Sequence, residues 1–142
     1  MPDAVTQYRA VQIQTASGLH LLLMAYDYAL RQLGQAQEAM AEGRTGDCAK
    51  CLGKVHDVLA ELGGSLNFAG GPECEEFASK LSRLYEFCSN RLVEATPRRD
   101  PAMLNTVRDV LTTLREAWRE CSRANSSKRV PQQQEGFQVL VG

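Results

Sequence analysis

Cys48-Ala49-Lys50-Cys51 is the pairing in this chain whose residue types and spacing come closest to a reagent. A C-x-x-C at a helix start can lower a thiol pKa, and with two further donors it can hold zinc. A structural zinc site wants four ligands, usually as two paired clusters, and no second C-x-x-C exists, although His56 lies near. Cys48 also falls on an apolar helical stripe, as do Cys74, Cys88 and Cys121. Cysteine behaves well there as a small buried hydrophobe. The balance favours structural thiols over a metal or redox centre at Cys48 and Cys51.

Other chemistries fare no better. A di-metal site in a helical bundle needs the Glu-x-x-His spacing on two helices. Of the two histidines, His20 follows Ser17 at that spacing and His56 follows Gly53, so neither has its glutamate. There is no Gly-x-Ser-x-Gly elbow and no glycine loop shaped to cradle phosphate. The expectation is a protein that is not an enzyme, with no cofactor and no metal.

Composition narrows the partners. Sixteen Lys+Arg against 17 Asp+Glu leave a formal net charge of −1, so broad capture of nucleic acid or of an acidic membrane is not expected. The aromatic residues sit among apolar neighbours rather than alternating with basic ones, as a base-stacking surface would require. The run Leu21–Tyr26 is far shorter than the roughly 20 residues needed to cross a bilayer. Five cysteines and no signal-peptide pattern suggest free thiols and a cytoplasmic location.

The elements that must position these residues are helical. Leu19, Leu22, Leu23, Tyr26 and Leu30 form one stripe behind a Thr15-Ala16-Ser17 start, with Ser17 as the expected cap and a stop at Gly43–Gly46. Asp47 can cap a second helix with the stripe Cys48, Leu52, Val55, Leu59, Leu62, Leu66. Cys74, Ala78, Leu81, Tyr85, Cys88, Leu92 and Ala95 make a third, which Thr96–Arg99 ends. Asp100-Pro101 opens a fourth through Leu104, Val107, Leu111, Leu114, Trp118 and Cys121, fading near Asn125–Ser127. The reading is all-α: an antiparallel up-down four-helix bundle over 17–124, an extended N-terminal segment (1–16) packed on it, and a flexible tail (125–142). The tail ends on "FQVLVG", apolar enough to adhere somewhere.

The stripes leave a surplus. Leu21, Met24 and Tyr28 lie about 160° round the first long helix from its main stripe at 100° per residue. Phe77, Leu84 and Phe87 widen the third stripe, and Met103 and Val110 the fourth. Either one helix is buried all round or, since outward faces of a four-helix bundle should be wet, the excess marks self-association or a groove for a peptide.

"YRAVQIQTAS" followed by "LHLLLMAYDYALRQLGQAQEAM" resembles the opening of the FliS family of flagellar export chaperones. Tyr8, Ile13, Thr15-Ala16-Ser17 and Tyr26-Asp27 match its pattern in order, and "LYEFCSNRLVEA" (84–95) and "LREAWRE" (114–120) look like its later helix signatures. Gly18-Leu19-His20 departs from the proline and acidic residues usual after the cap, and the tail is longer than typical. The resemblance implies a cytoplasmic chaperone that binds the disordered C-terminal region of flagellin. It would prevent premature polymerisation and help deliver the subunit to the flagellar type III export apparatus, with regulatory proteins as further partners. Apolar surplus and resemblance together nominate Tyr8, Ile13, Leu21, Met24, Tyr28, Phe77, Leu84 and Val110 as partner-binding. They further suggest that the second face of the first long helix is covered by the Tyr8–Ile13 segment, by client, or by each in turn. The alternative is a self-associating helical bundle acting as a structural or regulatory adaptor.

Overall fold

A computed structural model describes residues 3–13 and 15–132, and among them every regular element is helical. The N-terminal segment is itself a short helix, α1 (Ala4–Ala10), in place of the extended segment that the sequence suggests. Asp3 makes the difference: its carboxylate accepts from the Thr6 amide at 2.9 Å, satisfying one orphan donor of the first turn. Gln12 then takes a left-handed conformation (φ 57°) that turns the chain toward α2 (Ala16–Ala41).

Thr15, not Ser17, caps α2, its hydroxyl accepting from the Gly18 amide at 2.8 Å. The helix buries Leu19, Tyr26, Ala29, Leu33, Ala36 and Ala39; the small alanines let neighbouring helices approach closely. In α3 (Thr45–Gly64), Arg44 takes the cap position expected for Asp47, which sits in the first turn and holds the Arg44 guanidinium at 2.9 Å. Leu66, expected on this helix, is buried just past its end.

Gly71 (φ 108°) and Pro72 start α4 (Pro72–Arg98), which runs on through Pro97 to a left-handed Arg99. The expected fourth helix opens instead with a 3-10 turn (Pro101–Leu104), capped by Asp100 accepting from Ala102 at 3.0 Å. After it, α5 (Asn105–Gln132) is continuous through Asn125–Ser127, where the sequence suggests a fade. Serine and asparagine cost only a few tenths of a kcal/mol each in a helix already nucleated, too little to end it. The rest of the expected flexible tail, 133–142, lies outside the described residues.

Packing follows the stripes. Helix α2 lies along α3 and α5, and α4 lies along the same two; α1 sits on α4 and α5 and makes no backbone approach to α2 among the described residues. Gln37 late in α2 bonds Asn105 at the start of α5, while Asp27 earlier in α2 meets Arg115 further along α5, so the two helices run in opposite directions. The core joins Tyr26, Leu33, Val55, Leu59, Leu81, Leu92, Leu104, Val107 and Leu111 into one apolar cluster.

Candidate functional site

An open trough of about 710 Å³ runs between the N-terminal half of α2 and the C-terminal half of α3. On the α2 side it is lined by Gly18, Leu21, Leu22, Met24, Ala25 and Tyr28; on the α3 side by Asp57, Val58, Glu61, Leu62 and Ser65. Val11, Gln12 and Ile13 close one end, and Tyr85 of α4 lies beneath. Leu21 and Met24 are 63% and 51% exposed, well beyond what an isolated surface leucine would call for once they share one apolar depression.

Local sequence explains the shape. Leu19, Leu22, Leu23 and Tyr26 turn inward, which at helical spacing leaves Leu21 and Met24 facing out. Gly18 lines the start of the trough, where a side chain would press on Thr15 at 3.2 Å. The Arg31 guanidinium lies 5.8 Å over the Tyr28 ring and fixes that rim. Asp57 and Glu61 give the α3 rim a negative edge.

Polar order lies directly under the floor. The Tyr26 and Tyr85 hydroxyls meet at 2.7 Å, and Tyr26 is also hydrogen-bonded by Trp118. Burial pushes the Tyr26 hydroxyl pKa up to about 12, and burial likewise raises that of Tyr85. Both stay neutral, hydrogen-bonding groups at any physiological pH.

The nominated residues divide into two sets. Ile13, Leu21, Met24 and Tyr28 line the trough. Tyr8 stacks on Trp118 with ring centroids 6.4 Å apart, and Phe77 meets the same indole edge-on at 6.2 Å. These rings anchor α1 to α4 and α5, so Tyr8 does not cover the second face of α2. Only the end of its segment, Val11–Ile13, reaches that face. Leu84, at the margin of exposure, stands on α4 beside Phe87, and Val110 is half-buried on α5; neither lines the trough.

Sequence reasoning misses the α3 half of the trough. Val58 and Leu62, four residues apart and hence neighbours on one helix face, are the signal that could have found it; Tyr85 is legible only as a core position. Burial raises the Cys48 pKa and nearby Cys51 adds to the rise, the opposite of an activated thiolate. Among the described residues no three of His, Cys, Asp and Glu gather to hold a metal ion.

The described residues thus form an all-helical protein with an apolar trough between α2 and α3. The sequence profile described as "Flagellar protein FliS" matches residues 1–125, and the chain belongs to that family. It is 29% identical over 107 residues to the flagellar secretion chaperone FliS of Vibrio cholerae, covering 75% of this chain and 76% of that one. It is 26% identical over 124 residues to the protein of the same name from Bacillus subtilis, covering 87% and 90%. With flagellar secretion chaperone FliSB of Pseudomonas aeruginosa it shares 29% over 119 residues, covering 81% and 92%. No helix among the described residues is long and apolar enough to cross a membrane.

Proposed function

We propose that this protein is a cytoplasmic export chaperone whose α2–α3 trough binds the disordered C-terminal segment of flagellin. It keeps that segment from polymerising early and aids delivery to the flagellar type III export apparatus. The observation that carries the reading is the exposure of Leu21 and Met24 inside one apolar depression, in a chain of the FliS family.

The mechanism is physical rather than chemical. Helices α2 to α5 form an antiparallel up-down bundle, a scaffold stiff enough to hold the trough open without client. A flagellin tail carries apolar side chains meant for neighbouring subunits, and covering them removes an aggregation hazard. Burying Leu21 and Met24 contributes up to about 1.5–3 kcal/mol each. Ordering the client costs free energy in return, which holds the affinity down and lets the cargo leave. Tyr28 and the rim carboxylates Asp57 and Glu61 orient the segment, while Phe77, Leu84 and Val110 offer apolar area for a client that extends onto other faces.

Calorimetry with a synthetic flagellin C-terminal segment tests this. Binding should show a negative heat-capacity change. Leu21→Asp and Met24→Asp should each weaken it at least about 10-fold while helical circular dichroism is unchanged, since both side chains already face solvent. Undiminished affinity in both variants would remove the trough as the site. A chain that ignores the peptide and sediments at twice the monomer mass would favour the adaptor that pairs through this surface.

A further inference from the structure

The trough opens at the end of the bundle toward which α5 runs. Asp27 of α2 pairs with Arg115 of α5, which sets the register of these opposed helices. From Asp27 back to Ala16 is about 16 Å of helix, and from Arg115 on to Gln132 about 26 Å, at 1.5 Å per residue. Gln132, the last described residue, therefore lies about 10 Å beyond the start of α2. Packed helices lie about 8–10 Å apart, so the near edge of the trough is roughly 15–20 Å from Gln132.

The sequence that follows can cross that gap. Extended chain covers about 3.3–3.6 Å per residue, so Phe137 reaches roughly 17 Å from Gln132 and Val141 roughly 30 Å. The spacer Gln133-Gln134-Glu135-Gly136 is polar and ends on glycine. Phe137, Val139, Leu140 and Val141 follow with no charge among them. This stretch also lies beyond residue 125, where the match to the family profile ends.

We propose that Phe137–Val141 of this chain folds back into the α2–α3 trough and competes there with the client. The docking rests on reach and on apolar match; its regulatory consequence rests on the reading that flagellin uses the same trough. A tether this short gives the tail an effective concentration in the millimolar range, so weak intrinsic affinity suffices to hold it over Leu21 and Met24. A site closed nine-tenths of the time binds an incoming peptide about 10-fold more weakly than an open one. The tail sets a threshold that a segment with more apolar anchors overcomes and a chance apolar peptide does not.

Two measurements on the full chain decide it. With p-benzoylphenylalanine introduced at Phe137, irradiation should crosslink within one molecule to peptides containing Leu21–Met24 or Val58–Leu62. Crosslinks to the Leu84–Phe87 face of α4, or to a second molecule, would overturn the docking. In calorimetry with the synthetic flagellin segment, the Phe137→Asp/Leu140→Asp chain should bind about 3- to 10-fold more tightly than the parent. Equal affinity would overturn the competition. If the peptide binds neither chain, the flagellin reading is what fails, and the crosslink alone supports or overturns the seat of the tail.

Discussion

Tyr26 of α2 and Tyr85 of α4 join hydroxyl to hydroxyl at 2.7 Å, linking two helices whose backbones do not touch. Tyr26 is the hub, because Trp118 bonds it as well. Tyr26→Phe strands both partners in the core and should cost about 2–3 kcal/mol; Tyr85→Phe leaves Tyr26 with Trp118 and should cost about 1 kcal/mol. The double variant should cost less than the sum of the two. Urea unfolding of the three variants measures this, and strict additivity would mean the hydroxyls are energetically independent.

Burial in the same core predicts an alkaline limb. Tyr26, ordinarily near 10, is pushed up to about 12 and Cys88, ordinarily near 9, to about 11, both chiefly by burial. The unfolded chain loses these protons first, so stability is full below about pH 9 and falls as pH climbs through about 9–12. Cys88→Ala should flatten the lower part of that decline, near about pH 9–11, in thermal melts recorded across the range.

Asp27 supplies an acid limb. Its hydrogen bonds from Arg115, a guanidinium only 17% exposed, hold the carboxyl below the usual aspartate range, while partial burial works the other way. The resulting stability is present above the ordinary carboxylate pKa and is lost as pH falls below about 4. Because the Asp27 side chain is 40% exposed, Asp27→Asn should cost only about 1 kcal/mol at neutral pH. The variant and parent should converge in stability at low pH, as urea midpoints near neutrality and well below the carboxylate range would reveal.

Gly70 secures α1. A methyl group there would sit 2.6 Å from Cδ of Arg9 and 2.7 Å from Sγ of Cys74. The Arg9 side chain can swing aside, giving up its 3.1 Å bond to the Gly70 carbonyl, but Cys74 is buried and cannot. Gly70→Ala should cost about 1–3 kcal/mol and loosen Tyr8 from Trp118. Trp118 is the sole tryptophan, so a red shift of its emission reports the loosening directly.

Apolar periodicity made the long helices and most of their buried faces legible, since the stripes that carry Leu19, Val55, Leu81 and Leu111 each repeat at helical spacing and all four residues turn inward. Caps were harder to place: Ser17 and Asp47 compete with Thr15 and Arg44 a few residues away, and local chemistry alone does not choose between them. Leu21, Met24 and Tyr28 could be found because apolar excess on a solvent face is visible in one helix. The role of Tyr8 could not, because it depends on Trp118, which only the tertiary fold brings near. The α3 wall was hidden for the same reason, as Val58 and Leu62 gain meaning only once α2 lies beside them.

Gln7 accepts a hydrogen bond from the Cys121 thiol across 114 residues of sequence. During synthesis α1 emerges before α2 to α5 and must wait for Trp118 and Cys121 before its seat exists. A nascent molecule stalled short of Trp118 would therefore present α1 undocked.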